Sequence, residues 1–451
     1  MHRIAMLLLL AALCAAAAGC GGSSKSGSGT TATVTAGGPT GAGQTLAIYG
    51  FGSGDEIANT RAALAKKAVA PAKVRNPTGG FVDQVFLTAV ASGNVPDIVY
   101  LDRQKVGTYA AKGALQPVSV CGIDMSRYRK PAVDEVTYNG EPYGVPEFYD
   151  NRTLIVNDTV MRQAGVTDFG VADWSKLKSD TAKLVQASGN RVTRIGFDPK
   201  LPEFFPLWAK ANGVDLVSAD GKSVHLDDPR SVEALKFAVS LINEQKGWSK
   251  FKSFRDTWDF FGSKNEYARN QVGAFPMEDW YYNVLATNSP QVKITAKPFT
   301  DRQGNPIDWE TGSAWAIPKK SKHVKLACEW AKTMTEKSSW IAAAKARIAA
   351  NAKDKLPFTG LYTANTAADE TIMSKLYKPS GTVFDAAVQA VQKVQDHAFS
   401  IAASPGGAEI TAAWTNAVNR VLAGQQSPAA ALKQAQNEAD AAIDSASIPN
   451  G

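Results

Sequence analysis

Short apolar runs rich in β-branched residues alternate with apolar positions spaced three and four residues apart along most of the chain. Residues 45–49 form a β-rich run that ends in the glycine-rich turn 50–54, and residues 56–69 have the apolar spacing of a helix. The same order recurs with a periodic helix over 82–91 and a strand over 97–101. Strands that alternate with helices predict an α/β architecture with parallel sheets.

Later segments extend this pattern. Residues 143–157 carry a proline and a polar centre between two β-like ends, which is typical of a connection between domains. Asp173 stands where it can cap a helix that follows it. Amphipathic helices are predicted over 231–243 and 325–335, and an alanine-rich helical region over 408–443.

The first residues have the pattern of an export signal. Residues 1–19 combine a short basic start with an apolar run that is too short to span a bilayer, and they end just before Cys20. The small residues before Cys20 resemble a bacterial lipobox, which implies cleavage there and a lipid on the sulfur. Ordinary cleavage that leaves Cys20 free is the alternative. Residues 20–44, rich in Gly, Ser and Thr, predict a flexible tether.

Composition narrows the function classes. The chain has 451 residues, of which 44% are hydrophobic and 20% charged, enough for two large domains or three ordinary ones. Basic and acidic residues give a net charge of 49 − 42 = +7, but they are interspersed and form no dense basic stripe. We therefore expect no nucleic-acid partner. After the export signal, no apolar run approaches the length of a membrane span, so the body is expected outside the cytoplasm without crossing the membrane.

Catalytic and metal motifs give little support to an enzyme. The chain lacks H-E-x-x-H and G-x-S-x-G, and its two S-x-x-K patterns have neither S-D-N nor K-T-G beside them. Three separate histidines in the mature chain predict no metal site. Cys121 and Cys328 are free to pair in an oxidising compartment, or to remain as two buried thiols.

Seven short segments carry a family resemblance through their order and spacing. They are 91–99 (ASGNVPDIV), 112–115 (KGAL), 143–146 (YGVP), 154–158 (LIVND), 273–280 (GAFPMEDW), 311–318 (TGSAWAIP) and 421–432 (VLAGQQSPAAAL). Together they resemble the extracellular solute-binding proteins of bacterial ABC importers, in the carbohydrate-binding family that includes the maltose-binding proteins.

The resemblance implies a periplasmic-binding-protein-like fold with two α/β lobes and a ligand cleft at a hinge. It assigns 45–141 and 308–350 to lobe 1, 151–306 and 355–451 to lobe 2, and 142–150 and 307–312 to the hinge crossovers. It also implies a monomer, without cofactor, that is lipid-anchored at the outer face of the cell membrane. Its partners would be a sugar and the transmembrane and ATPase subunits of an ABC permease.

The site residues follow from what a sugar presents, namely an apolar C–H face and a rim of hydroxyl groups. The resemblance places the family's crossover carboxylate on Asp150, with Glu147 as the alternative acid. Either carboxylate could instead be a solvated hinge charge. Trp280 matches the family's stacking ring, and Tyr281 follows it in the same aromatic run, although aromatic side chains are more often core.

Further candidate contacts surround these residues. Asp102 and Arg103 match polar contacts of the first lobe, or else a helix cap and a surface charge. Trp208 would be a second cleft-facing ring or a core residue. Ser53 and Asp55 lie by the glycine-rich turn, and Ser313 follows the hinge candidate Gly312. The alternatives to sugar transport are another solute, such as a polyamine, oligopeptide or polyol, a secreted glycan-degrading enzyme, or a surface adhesin.

Overall fold

Two mixed β-sheets with helices packed against them form the framework of the protein. The computed structural model describes residues 41–52, 54–77 and 79–447, which fold together as one unit. The strands are β1 (Thr45–Tyr49), β2 (Lys73–Arg75), β3 (Ile98–Asp102), β4 (Leu115–Gln116), β5 (Thr137–Tyr138), β6 (Glu141–Pro142), β7 (Val145–Pro146), β8 (Arg152–Asn157), β9 (Gln186–Ser188), β10 (Arg191–Phe197), β11 (Val272–Glu278), β12 (Ile294–Pro298), β13 (Asp308–Trp309), β14 (Ser313–Pro318) and β15 (Ala398–Phe399).

The helices follow the predicted order along the chain. They are α1 (Glu56–Ala68), α2 (Asp83–Ser92), α3 (Val106–Ala111), α4 (Lys130–Asp134), α5 (Asp158–Ala164), α6 (Trp174–Leu184), α7 (Phe205–Ala211), α8 (Pro229–Glu244), α9 (Trp248–Arg255), α10 (Trp280–Asn288), α11 (Val324–Thr335), α12 (Lys337–Lys353), α13 (Thr366–Thr371), α14 (Val383–Gln395), α15 (Gly407–Leu422) and α16 (Pro428–Ser447). Short 3₁₀ turns occupy Arg103–Lys105, Val118–Cys121 and Met125–Arg127, and a π-helical turn occupies Ile372–Leu376. Within the described residues, no helix has the length and apolarity needed to cross a membrane.

Local capping explains several helix ends. Asp173 accepts a hydrogen bond from the backbone N–H of Lys176 and caps α6, as predicted. The helical region predicted over 408–443 is divided into α15 and α16. Gly424, with φ +70°, takes the left-handed conformation that ends a helix, and Pro428 occupies the first position of α16.

The first sheet has the strand order β2-β1-β3-β14-β4, with β7 also paired to β14. Strand β1 runs parallel to β2 and β3, whereas β14 is antiparallel to β3. The register sets Ser313 directly opposite Asp102, so both side chains emerge at the same end of the sheet. Apolar residues of α2 and α11 pack against this sheet and cover it.

The second sheet has the order β12-β8-β11-β10-β9. Strands β10 and β11 are parallel, but β8 is antiparallel to both of its neighbours. The prediction of parallel sheets is therefore wrong for β4, β7, β8, β9, β12 and β14. Strand β8 enters from the crossover rather than through a helical βαβ connection, so nothing forces it to run parallel. The register sets Arg152 opposite Glu278 at the crossover end of the sheet.

Each of the two sheets has its own hydrophobic core. Helices α14, α15 and α16 contribute to the core of the second sheet. Leu361, Ala368 and Ile372 instead pack with Ile57 and Trp340 of α1 and α12, beside the first sheet. A disulfide between Cys121 and Cys328 joins the 3₁₀ turn Val118–Cys121 to α11 on that side.

Three chain segments run side by side between the two sheets. Asp150 donates its backbone N–H to the carbonyl of Thr311 at 2.9 Å, and Glu147 donates to Ser313 at 3.0 Å. Ala364 in turn donates to the carbonyl of Glu147 at 2.8 Å. The two predicted crossovers are thus joined by a third segment around residue 364. The predicted export signal, Cys20 and nearly all of the tether lie outside the described residues.

Replacing Gly312 by alanine is expected to destabilise the protein. A Cβ at this position would overlap the carbonyl oxygen of Phe148 on the neighbouring crossover. Overpacking of this kind costs about 1–3 kcal/mol, which urea denaturation can measure. Gly170→Ala is the control, because nothing lies within 4 Å of a Cβ there. Equal stability of both variants would show that the crossovers move apart without cost.

Candidate ligand-binding site

A cavity of about 500 Å³ opens where the two sheets meet the crossovers. The first sheet contributes Asp102 and Ser313, and the second contributes Met277 and Glu278. The full lining comprises Asp102, Gln104, Asp150, Arg152, Lys200, Glu203, Phe204, Phe260, Met277, Glu278, Trp280, Trp309, Thr311, Gly312 and Ser313. A volume in the ~300–1,000 Å³ range suits a small-molecule ligand.

Asp150 offers a free carboxylate to this cavity. It is half-buried, and no described residue donates a hydrogen bond to its side chain. The pKa of Asp150 is raised to about 7, mainly by burial and also by the nearby Glu278 carboxylate, while Arg152 opposes the increase. Because a buried carboxylate without donors is unfavourable, a ligand that supplies hydroxyl groups would satisfy it.

Arg152 organises the wall beside Asp150. Its buried guanidinium donates to Glu278 at 2.8 Å and to the hydroxyl of Thr311 at 3.1 Å, and also to the carbonyl of Trp309. The guanidinium lies over the Phe204 and Trp309 rings, 4.7 and 4.4 Å from their centroids. Sequence reasoning missed this residue, although an arginine that opens an apolar strand beside a predicted crossover is a usable signal.

Aromatic rings also line the cavity. The half-buried Trp280 begins α10 and donates its indole N–H to Glu278 at 3.1 Å, which fixes the orientation of the ring. Phe204 and Phe260 also line the cavity, and the Lys200 ammonium lies 5.4 Å from the Phe260 centroid. Glu203, exposed on this side, adds a second carboxylate that accepts no hydrogen bond from the described residues.

A second cavity of about 330 Å³ shares Asp150 and Trp280 with the first. Asp55 lines it, but its carboxylate already caps α1 at 2.8 Å and accepts from Arg347 at 2.8 Å. Asp55 therefore lies near the site, as predicted, but both of its carboxylate oxygens already accept hydrogen bonds from the protein. Ser53, the other candidate from that turn, lies outside the described residues.

Arg103 is predicted to contact the ligand, but the structure places it in the protein interior. Its side chain is fully buried and donates to Glu135 at 2.6 Å, to the carbonyl of Phe148 at 2.7 Å and to Glu310. It does not line either cavity. Its neighbour Asp102 points the other way, with an exposed side chain that does line the first cavity and lies 3.6 Å from Lys105.

Three further candidates are also core residues. Trp208 is buried in α7 and donates its indole N–H to the carbonyl of Pro199 at 2.9 Å. Tyr281 is buried and donates to Glu266 at 2.5 Å. Glu147 is buried in an ion pair with Arg61 at 2.5 Å. In each case the polar group has its partner away from the cavity.

Of the predicted contacts, Asp150, Trp280, Asp102 and Ser313 thus converge on one cavity, and Asp55 lies on the adjoining one. Among the described residues, no cluster of His, Cys, Asp or Glu could hold a metal ion. Two α/β lobes with a polar and aromatic cleft at their crossovers define a two-lobed binding protein.

The chain belongs to a family described as bacterial extracellular solute-binding proteins, whose sequence profile matches residues 73–377. An arabinooligosaccharide-binding protein of Bacillus subtilis is 21% identical over 262 residues, which are 56% of this chain and 59% of that protein. A protein of the same description from Halalkalibacterium halodurans is 26% identical over 165 residues, 35% of each chain. The chain therefore spans about one third to three fifths of the length of these relatives.

Solved structures show the same fold. CpMnBP1 with mannotriose bound has a TM-score of 0.71 at 21% identity, covering 88% of this chain and 100% of that one. An ABC substrate-binding protein from Listeria monocytogenes in complex with cycloalternan has a TM-score of 0.70 at 19% identity, covering 89% and 99%. A maltodextrin-binding domain from Bdellovibrio bacteriovorus bound to maltotriose has a TM-score of 0.66 at 18% identity, covering 89% and 100%.

Proposed function

We propose that this protein captures a saccharide in the cleft between its lobes and delivers it to an ABC importer. The observation that carries the proposal is the free carboxylate of Asp150 in one cavity with the indole ring of Trp280. A carboxylate accepts hydrogen bonds from two hydroxyl groups of one sugar ring, while the indole covers the apolar C–H face. The saccharides named for the curated relatives and bound in similar structures support this choice.

Transport requires that the ligand favour the closed arrangement of the lobes. Asp102 and Ser313 would bind it from the first lobe, and Glu203 and Trp280 from the second. A ligand that bridges the two lobes makes contacts in the closed form that it cannot make in the open form, and these contacts stabilise the closed form. In this proposal the closed protein docks on the transmembrane subunits of a permease with its ATPase. A lipid on Cys20 holds it, as a monomer, at the outer face of the membrane.

A thermal-shift screen of the purified protein tests the proposal. Arabino-, manno- and malto-oligosaccharides, monosaccharides, polyols and polyamines are the ligands to compare. At about 100 times its dissociation constant, a ligand stabilises the folded protein by ~2.7 kcal/mol. With an unfolding entropy of ~2.1 cal/mol/K per residue, the melting temperature rises by roughly 3 °C. A rise with polyamines alone would contradict a saccharide ligand, and conversion of the saccharide to products would indicate an enzyme.

Saccharide affinity is expected to fall as the pH is lowered through about 7. Burial raises the pKa of Asp150 to about 7, so the carboxylate is charged at pH 8 and largely protonated at pH 6. The charged form is the stronger acceptor for hydroxyl groups. The expected loss between these pH values is about tenfold, from the fraction ionised. Calorimetric titration at both pH values measures it, and Asp150→Asn is expected to flatten the profile. An unchanged pH dependence in that variant would assign the effect to another carboxylate.

A further inference from the structure

A tight turn at residues 259–262 projects two phenylalanines beside the cleft. Gly262 donates its backbone N–H to the carbonyl of Asp259 at 2.8 Å, and the Asp259 carboxylate accepts from the backbone of Lys264 at 3.1 Å. Phe260 and Phe261 therefore occupy the two corner positions. Gly, Pro, Asn, Asp and Ser dominate such positions, so two aromatic corners are not explained by turn formation.

Phe260 anchors the turn to the protein. Its ring stacks on Tyr281 with centroids 4.3 Å apart and an interplanar angle of 18°. The Tyr281 hydroxyl donates to Glu266 and lies 3.2 Å from the carbonyl oxygen of Phe260. The position of the turn is thus fixed by a buried tyrosine.

Phe261 remains open to solvent. Its side chain is 66% exposed, and it is the one aromatic residue among the exposed large apolar side chains of the described residues. Its ring is nearly parallel to that of Trp280, at 11°, with centroids 6.0 Å apart. At that separation the two rings are offset, and they present neighbouring flat apolar surfaces with similar orientation. Trp280 lines the cavity and Phe261 does not, so Phe261 adds an apolar ring next to Trp280 outside the cavity lining.

We propose that Phe261 is a specificity-determining residue that extends the Trp280 platform beyond the cavity. The ligand is then a saccharide chain, with one ring held by Asp150 and Trp280 and a later ring stacked on Phe261. This inference rests on the proposed function and adds the length of the ligand to it. A monosaccharide would leave Phe261 exposed, whereas a chain removes its apolar surface from water.

Calorimetric titration of Phe261→Ala with saccharides of increasing length tests the inference. The series used is the one that the wild-type protein binds. Affinity for the shortest ligand is expected to match the wild type, and affinity for the longest to fall about tenfold, from the lost apolar burial. Phe261→Tyr is expected to restore it. Val85→Ala, a truncation of a 53% exposed side chain on α2, is the control that should change neither affinity.

The possible results separate the two proposals. Equal affinity of Phe261→Ala and wild type at every length would overturn the role of Phe261 and leave saccharide binding intact. An equal loss at every length would also overturn it, because the contact would then involve the first ring. Wild-type protein that binds no saccharide would overturn both. Melting temperatures of the variants exclude a folding defect, since the side chain is exposed.

Discussion

Replacing Asp150 by asparagine is expected to weaken saccharide binding by about 10- to 100-fold. Hydrogen bonds to a charged group contribute ~1.5–3 kcal/mol, and the variant removes the charge without changing the shape. The Asp150 carboxylate has no donor among the described residues, so no internal bond is lost. Calorimetric titration of both proteins at pH 8 measures the effect.

The melting temperature shows whether the loss of saccharide affinity in Asp150→Asn arises from unfolding. Burial raises the pKa of Asp150, so the charged form is unfavourable in the folded protein and its removal should not lower the melting temperature at pH 8. Asp168→Asn is a matched control, because the Asp168 side chain is 92% exposed and lines neither cavity. Undiminished affinity in Asp150→Asn would exclude that carboxylate from the site.

Arg103→Ala is expected to cause the largest loss of stability. The change removes the partner of two buried carboxylates, Glu135 and Glu310, and a donor to the Phe148 carbonyl. Breaking a buried ion pair from one side costs about 3–5 kcal/mol. With an unfolding entropy of ~2.1 cal/mol/K per residue, the melting temperature falls by roughly 3–5 °C. Differential scanning calorimetry measures this, with the exposed Arg230→Ala as control.

The size of that loss is expected to depend on pH. Burial raises the pKa of Glu135 to about 7, so the carboxyl is charged at pH 8 and protonated at pH 5. A protonated carboxyl needs no cationic partner, and the variant should be less destabilised at pH 5 than at pH 8. A defect no larger than that of Arg230→Ala at pH 8 would contradict a structural role for Arg103.

The spacing of apolar residues predicts helices well, because a helix is formed by residues that are close together in the sequence. Helix α1 was expected over 56–69 and spans Glu56–Ala68, and α2 was expected over 82–91 and spans Asp83–Ser92. The direction of β14 could not be predicted in this way. Its partner β3 lies more than 200 residues earlier, and antiparallel pairing depends on how the crossover returns to the first sheet.

The sequence does not predict which side chains of the candidate site are buried, because that depends on partners far away in the chain. Asp102 and Arg103 are adjacent, yet one faces the cavity and the other is buried, because Glu135 and Glu310 supply charges that only the fold brings together. In the same way Tyr281 and Tyr282 are core residues beside the half-buried Trp280. Their hydroxyls reach Glu266 and Thr153, which no local pattern connects to them.

The central claim is that the cleft at Asp150 and Trp280 binds a saccharide. Calorimetric titration of wild-type protein, Asp150→Asn and Trp280→Ala with the oligosaccharide selected by the thermal-shift screen tests it most directly. We expect saturable binding with one ligand per chain, and a loss of affinity of at least about tenfold in each variant. Wild-type protein that binds none of the saccharides, or variants that bind as tightly as the wild type, would contradict it.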